Sequence, residues 1–374
     1  MEFATAFVLA LISSLFVAVL TVLTQRFHGH LSHDNHAGVQ KLHSAPTPRV
    51  GGLALCAGFL VGGLSLSGAD QMLWWMLCIA AVPAFLAGLI EDFTKRVSVR
   101  TRLLAAIFSG VIFCLLTGYQ ITQVDLPGAD WLLSLSLFSL VFTAFAVSGI
   151  VNAVNIIDGV NGLASGTSII ILSGFAAVAW QVDDVQILGA CLVAIGALIG
   201  FFLLNFPNGR LFLGDAGAYT IGFILAAVAV ALPARNPEMS PLIGLLALAY
   251  PVMETAVSII RRIRRKGSHP GQPDRLHLHS LIYRSRALKM AQAIGSPHLR
   301  NAMAGLIMMG MPLLSSALML MAYKSTALVW CSVAVVALTY IVIYRKVALL
   351  APLVSFLKTA RAIDGEIPKV NKSA

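Results

Sequence analysis

Long apolar stretches constrain the fold of this chain more than any other feature of its sequence. A transmembrane helix needs about 20 predominantly apolar residues, and we count eleven stretches that could serve as one. Of the 374 residues, 58% are hydrophobic and only 11% are charged, and the mean hydropathy is +0.86, which argues against a set of soluble domains. We therefore predict an all-α, polytopic membrane bundle of about eleven transmembrane helices. The stretches lie at about residues 3–23, 51–68, 72–90, 103–120, 131–151, 163–181, 186–204, 216–233, 241–260, 302–322 and 325–344.

The distribution of basic residues predicts the orientation of the bundle. If the connections alternate sides, 24 of the 26 Lys and Arg residues fall on one side, and only Arg235 and Lys324 fall on the other. By the positive-inside rule the basic side is cytoplasmic, so the amino terminus is periplasmic and the carboxyl terminus cytoplasmic. Glu2 precedes the first stretch and Arg26 follows it, the reverse of a cleavable signal peptide, so we expect that stretch to remain as a helix. We expect residues 1–350 to form one integral membrane domain and residues 351–374 a cytoplasmic tail.

This topology brings the polar segments of the chain to one face. They are five successive cytoplasmic connections, at about residues 41–52, 91–102, 152–162, 205–217 and 261–279. Polar and ionisable groups are costly to place in lipid, so their clustering at the ends of membrane segments indicates a functional site. We therefore predict an active site at the cytoplasmic boundary, built from these five loops.

Two of these connections are rich in carboxylates and amides. Glu91 and Asp92 form an acidic pair followed by four cations, although a charged helix boundary that snorkels to the interface would look similar. Further along, Asn152, Asn155, Asp158 and Asn161 recur every third residue, which places them along one side of a helix. Their oxygen atoms suit a hard cation such as Mg²⁺, whereas hydrogen bonding between helices is the alternative reading.

The last two connections combine glycine, aspartate, arginine and histidine. Asp215 lies within Gly214-Asp-Ala-Gly at the start of a spanning helix, where a simple N-cap is the competing explanation. Arg275, His277 and His279 lie in a loop able to hold a diphosphate by charge-assisted hydrogen bonds. The preceding basic cluster at residues 261–266 is typical of a topology signal. In the first connection, His43 is grouped with Arg49 and the two glycines that follow it.

Taken together, these motifs resemble those of the polyprenyl-phosphate N-acetylhexosamine-1-phosphate transferases, members of glycosyltransferase family 4. That family includes the initiators of O-antigen and teichoic acid synthesis and phospho-MurNAc-pentapeptide translocase. The resemblance covers residues 41–280 and all five loops in order. The matching elements are the Pro-x-x-Gly-Gly run at 48–52, the acidic pair at 91–92, the NAxNxxDGxDGL motif at 152–163, the GDxG motif at 214–217 and the HxH motif at 277–279. In this chain Glu91 replaces the usual first aspartate of the pair, and Asn161 replaces the usual second aspartate of the third motif.

The resemblance implies a reaction and a set of site residues. A polyprenyl phosphate would attack the sugar-bearing phosphorus of a UDP-N-acetylhexosamine, yielding a polyprenyl-diphosphate sugar and UMP, and so initiate a lipid-linked glycan such as O-antigen. It implies Mg²⁺, or Mn²⁺ in its place, held by Asn155 and Asp215. The implied catalytic residues are Glu91, Asp92, Asp158, His277 and His279. The implied substrate-binding residues are His43, Arg49, Arg102, Asn152, Asn161, Gly214 and Arg275.

The expected partners are therefore the lipid acceptor, the UDP-sugar and the bacterial inner membrane. The chain contains no recognisable nucleic-acid-binding module, and a homodimer is left open. The alternative from another class is a secondary transporter for an anionic or nucleotide-linked solute. A transporter predicts polar groups near the middle of the membrane in two broken helices, whereas here they collect at one face.

Overall fold

The computed structural model confirms an all-α membrane protein. It describes residues 1–34, 47–264 and 276–364, without the side chains of 30–34 and 349–364. The helices are α1 (Glu2–Ser32), α2 (Gly51–Leu64), α3 (Gly68–Thr94), α4 (Val99–Thr117), α5 (Pro127–Leu133), α6 (Ser136–Ile157), α7 (Leu163–Gln181), α8 (Val185–Asn205), α9 (Gly214–Arg235), α10 (Ile243–Ala247), α11 (Ala249–Arg264), α12 (Leu278–Arg284), α13 (Arg286–Ala293), α14 (Arg300–Met308), α15 (Gly310–Ala322) and α16 (Thr326–Asp364). A 3₁₀ turn, Pro297–Leu299, precedes α14.

Each of the eleven predicted stretches is helical, but the number of long helices differs from the prediction. Within the described ranges, nine helical segments are long and apolar enough to cross a membrane. The stretch predicted at 51–68 forms the 14-residue α2. The stretch at 241–260 is divided into α10 and α11, which meet at Leu248. At the other end of the chain, α16 continues past the predicted domain boundary at residue 350.

A short antiparallel ribbon accompanies the helices. Strand β1 (His33–Asp34) pairs with β2 (Thr47–Pro48), with Asp34 opposite Thr47. Because β2 comes directly before α2, the ribbon fixes where the first connection returns to the bundle.

Helix α9 is the centre of the bundle. Small side chains dominate its sequence, and nearly every residue from Gly214 to Leu232 is buried. Helices α3 and α6 pack against it on two sides. Small residues let membrane helices approach closely, which strengthens van der Waals packing where lipid supplies no hydrophobic driving force.

An ion pair holds the far end of α9. Arg235 donates from Nε and Nη2 to the two carboxylate oxygens of Asp184, at 2.7 and 3.0 Å, and from Nη1 to the Tyr119 hydroxyl at 2.6 Å. Asn236 also donates to Asp184, at 3.0 Å. A bidentate, charge-assisted pair of this kind is stronger than a neutral hydrogen bond. It joins the beginning of α8 to the end of α9. The opposite end of α9, which begins at Gly214, lies at the candidate site.

Candidate active site

Asp215 lies at the centre of the candidate site, in the first turn of α9. Gly214 precedes it with φ of +74°, a backbone conformation that favours glycine. A Cβ at position 214 would lie 2.5 Å from the Arg49 carbonyl oxygen and 2.6 Å from Asp92 Oδ2. Glycine is therefore required both for the turn into α9 and for the close approach of two other connections.

Asp92 caps α9 from the end of α3. Its Oδ1 accepts a hydrogen bond from the Asp215 backbone amide at 2.8 Å, and its Oδ2 accepts one from the Ala216 amide at 2.9 Å. The first residue before α9, Leu213, has no side chain that could cap these amides. The carboxylate is 1% exposed, and it also benefits from the positive end of the helix dipole. Asp92 is thus a tertiary N-cap for the helix that carries Asp215.

Two arginines from different connections bind the Asp215 carboxylate. Arg49 donates from Nη2 to Oδ1, and Arg102 donates from Nη1 to Oδ2. Arg49 Nε also lies 3.5 Å from Asp92 Oδ1. Both side chains are partly exposed, at 32% for Arg49 and 19% for Arg102. The site therefore places two guanidinium groups beside the Asp215 carboxylate, where they could also contact an anionic substrate.

The backbone of the first connection is held against the fourth. Gly51 and Gly52 donate their amides to the carbonyls of Phe212 and Leu213, at 2.9 and 3.0 Å, and Phe212 donates to the Pro48 carbonyl at 2.9 Å. This backbone pairing places Arg49 beside Asp215.

Glu91, beside Asp92, stabilises the neighbouring turn. Its Oε2 accepts from the Val97 amide at 2.8 Å, and its Oε1 lies 4.0 Å from Arg102 Nη1. Ser98 then caps α4 by accepting from the Thr101 amide at 3.1 Å. The two acidic residues therefore have different roles. Asp92 binds the amino end of α9, whereas Glu91 stabilises the connection that carries Arg102.

Helix α6 places the asparagine motif beside Asp215. Asn155 donates from Nδ2 to Asp215 Oδ1 at 3.0 Å. One turn earlier, Asn152 donates to the Ser148 carbonyl at 2.8 Å, inside its own helix. Asp158 follows the last residue of α6 and is crowded by protein atoms, although part of its surface remains open to the cleft. This burial raises the pKa of the Asp158 carboxyl to about 7, an effect opposed by Arg49 and reinforced by Asp215.

Three asparagines fix the turn that follows Asp158. Asn161 donates its side chain to the Pro207 carbonyl at 2.9 Å, and its backbone amide donates to Asn301 Oδ1 at 2.5 Å. Asn205 accepts from the Gly162 amide at 2.6 Å and donates to the Leu211 carbonyl at 2.8 Å. The side chain of Asn161, which was predicted to bind substrate, thus contacts the fourth connection.

The two histidines of the last connection are buried side by side. The rings of His277 and His279 are stacked, with centroids 5.4 Å apart and planes 3° from parallel. His277 Nδ1 lies 3.0 Å from Glu254 Oε1. His279 packs on the backbone of Gly159, where any Cβ would overlap its Nε2. The histidine pair therefore joins the asparagine motif directly after Asp158.

The donor set fits a divalent cation that completes its shell with substrate. Asp215 would supply a carboxylate oxygen, and Asn155, whose Nδ2 lies 3.0 Å from Asp215 Oδ1, would supply its amide oxygen once the amide group is turned over. Within the described ranges, no cluster of three or more His, Cys, Asp or Glu side chains could hold a metal ion. Mg²⁺ usually binds through one or two carboxylates together with water and substrate phosphates, so a full protein cage is not required.

Most of the predicted site residues meet in this one region. Asp92, Arg49, Arg102, Asn155 and Gly214 all contact Asp215 or its backbone. His43 and Arg275 lie outside the described residues.

Three further residues of the site had not been singled out from the sequence. Glu254 looks like one polar position in an amphipathic helix, and Asn205 and Asn301 look like ordinary helix-end amides. The only sequence signal was for Glu254, a carboxylate within an otherwise apolar predicted span, which by itself marks a functional candidate.

Comparison with known families bears on this arrangement of motifs. The model described as "Glycosyl transferase family 4" matches residues 74–233, a segment that contains Asp92, Arg102, Asn155, Asp158 and Asp215. Over this segment the chain is similar to that family. It is 28% identical over 271 residues to the Bacillus subtilis (strain 168) protein named "Probable undecaprenyl-phosphate N-acetylglucosaminyl 1-phosphate transferase", covering 72% of this chain and 75% of that one.

Two further relatives carry a similar name. The undecaprenyl-phosphate alpha-N-acetylglucosaminyl 1-phosphate transferase of Escherichia coli (strain K12) is 28% identical over 253 residues, covering 66% of this chain and 68% of that one. The protein of the same name from Salmonella typhi is 26% identical over 277 residues, with coverage of 72% and 74%. The matched segment contains the acidic pair, the asparagine motif and the GDxG motif.

Proposed function

We propose that this protein transfers N-acetylglucosamine 1-phosphate, or a closely related N-acetylhexosamine 1-phosphate, from its UDP-sugar to undecaprenyl phosphate. The relatives are named for transfer to this lipid. The observation that carries the proposal is the convergence on Asp215 of two arginines, an asparagine and the Asp92 cap, contributed by four different connections or helix ends. Such a set can bind a diphosphate and stabilise charge that develops on it.

A groove beside the site suits the lipid acceptor. It has a volume of about 650 Å³ and is lined mainly by apolar residues of α6, α9, α10 and α11. Ala153, two residues before Asn155, lies at its α6 wall, and Ile259 lies towards the cytoplasmic end of its α11 wall. A polyprenyl chain lying here would have its phosphate end near Asn155 and its apolar tail along the bundle.

The charge distribution supports a cytosolic donor. Nearly all basic residues flank the end of the bundle at which Asp215 lies, which by the positive-inside rule is the cytoplasmic end in the inner membrane. A UDP-sugar is water-soluble and the polyprenyl phosphate lies in the membrane, so both substrates can meet at this boundary. The exposed part of Arg49 can contact a phosphate that enters from the cleft.

The chemistry then requires positioning and charge stabilisation. An oxygen of the lipid phosphate attacks the sugar-linked phosphorus, the bond to the UMP oxygen breaks, and UMP leaves. Arg49 and Arg102 counter the negative charge, while Asp92 and Asn155 hold Asp215 in place. When bound, Mg²⁺ on Asp215 and Asn155 would neutralise charge on the diphosphate. Because a lipid phosphate with a second pKa near 6 is already mostly dianionic at pH 7, a strong general base is not required.

The test uses purified full-length protein in detergent with undecaprenyl phosphate and a panel of radiolabelled UDP-sugars. We expect butanol-extractable label with UDP-N-acetylglucosamine or another UDP-N-acetylhexosamine, and equimolar UMP. Sealed vesicles containing the protein provide the contrasting measurement. Label that accumulates inside them without any lipid product would instead favour the transporter and contradict the proposal.

A further inference from the structure

Glu254 is a buried carboxylate that none of the sequence motifs includes. It lies in α11 and is 1% exposed. Its Oε1 accepts a hydrogen bond from the Leu278 backbone amide at 3.0 Å and contacts His277 Nδ1 at the same distance. An ionisable group in a membrane protein is expensive to bury and usually has a functional role. Here both contacts are directed at the last active-site connection.

The contact with Glu254 determines the orientation of His277. A carboxylate only accepts hydrogen bonds, so His277 must carry a proton on Nδ1 for this contact. The proton on Nδ1 fixes the ring plane and leaves Nε2 as the nitrogen that faces away from α11. The bond to the Leu278 amide fixes the backbone of the same residue pair at the start of α12. Glu254 therefore holds both the ring and the main chain of this connection.

The orientation of His277 is passed on to the asparagine motif. The parallel stacking of His277 on His279 places the second ring against Gly159, which follows Asp158. A rotation of the His277 ring would remove the stacking partner of His279 and weaken the contact between His279 and Gly159. The chain of contacts runs from Glu254 through both histidines to the residue beside Asp158.

Helices α11 and α16 together hold the beginning of the same connection. Arg261 donates from Nη1 to the Tyr344 hydroxyl at 2.6 Å, and that hydroxyl donates to the Leu276 carbonyl at 3.2 Å. Leu276 is thus anchored independently of Glu254. Loss of the Glu254 carboxylate should therefore disturb the histidine rings without releasing the whole connection.

We propose that Glu254 is a positioning residue that orients His277 and, through it, His279 for sugar-phosphate transfer. This inference rests on the proposed function. A buried pair that only supported the fold would be replaceable at little cost to turnover in the protein that remains folded. A positioning residue instead lowers turnover while the fold is retained. The corresponding loss for the hydrogen-bond partner of a metal-bound histidine is about 10- to 100-fold, and we expect a similar size here.

The kinetic test compares Glu254→Gln and Glu254→Ala with the wild type. Glutamine keeps the shape and one acceptor oxygen, so we expect kcat to fall about 10-fold, whereas alanine should lower it by about 100-fold. Glu238→Gln is the matched control, because Glu238 is an exposed residue of the connection at the opposite end of the bundle. Wild-type kcat in folded Glu254→Gln would overturn the proposal.

A spectroscopic test separates this proposal from the proposed function. In protein labelled with ¹⁵N-histidine, the His277 signals are assigned by their loss in His277→Gln. We expect a protonated Nδ1 in the wild type and a change of tautomer in Glu254→Ala. An unprotonated Nδ1 in the wild type would refute the role of Glu254, whatever the activity. Absence of transfer with every UDP-sugar, with the Nδ1 signal as expected, would instead refute the proposed function.

Discussion

The carboxylate of Asp92 binds the backbone amides of Asp215 and Ala216, at 2.8 and 2.9 Å, across more than 120 residues of sequence. The aspartate that the family resemblance implies as the reactive acid therefore supports the helix that carries Asp215. Both of its oxygens are engaged in this contact. Its effect on transfer is then expected to come from holding Asp215 rather than from accepting a proton.

Replacement of Asp92 by asparagine should reduce both stability and turnover. The amide can replace only one acceptor, and its NH₂ group would face a backbone N–H, which leaves a buried donor unsatisfied at a cost of about 1–3 kcal/mol. We expect a lower melting temperature and a loss of turnover of about 100-fold. The defect should not shrink as pH rises from 6 to 9.

Asp130→Asn is the control for this change, because Asp130 also accepts a backbone amide, that of Val124 at 2.6 Å, near the opposite end of the bundle. Its activity should stay close to that of the wild type. A defect in Asp92→Asn that shrinks as pH rises would instead identify Asp92 as a proton acceptor.

Asp215→Asn should abolish most turnover through loss of the anionic metal ligand. The substitution keeps the side-chain shape, but it removes the charge that binds Arg49 and Arg102 and that would bind Mg²⁺. We expect a decrease in kcat of about 100-fold or more. Thermal melts of the wild type should show stabilisation by Mg²⁺ with a UDP-sugar, and the variant should lose that stabilisation. Unchanged activity and unchanged Mg²⁺ dependence would exclude Asp215 as the ligand.

Asp158 gives a prediction of how stability depends on pH. Because burial raises its pKa to about 7 in the folded protein, the protonated form is favoured there. The contribution of Asp158 to stability is therefore complete below its unfolded pKa near 4 and is lost as pH rises towards 7. Relative to the wild type, Asp158→Asn should gain about 2–4 °C in melting temperature on going from pH 5 to pH 8, measured without substrate or divalent cation. A difference that does not change with pH would contradict the raised pKa.

Gly149 offers a test of the lipid groove. It lines the groove on α6, and a Cβ at this position would meet no atom within 4 Å, so a side chain introduced here can extend into the groove. Gly149→Phe should raise KM for undecaprenyl phosphate about 10-fold, roughly the effect of losing one favourable apolar contact, and leave KM for the UDP-sugar unchanged. Leu137→Phe is the control on the same helix, since Leu137 is exposed and does not line the groove. Equal effects of the two variants would place the lipid elsewhere.

The site could be predicted in part because its chemistry is local in the sequence. Asn155 and Asp158 stand out within a few residues of one another, and Asp215 stands out beside two glycines at the start of a helix. The apolar stretches were equally visible, because a helix in lipid must satisfy its own backbone and carry apolar side chains along its whole length. Their division was harder to see, since the residues around the break at Leu248 between α10 and α11 are apolar. Only Pro251, in the first turn of α11, marks the break in the sequence.

The sequence by itself determined that this is a helical membrane protein with polar loops gathered at one end, and which residue types those loops bring. Only the tertiary structure decided what each side chain contacts. Asp92 caps a helix 123 residues away, and Asn161 meets Asn301 across 140 residues. Glu254 reads as a single polar residue until α11 brings it to His277. The physical reason is that hydrophobicity acts on each segment separately, whereas a hydrogen bond depends on the distance and direction between two groups, which the packing of the whole bundle sets.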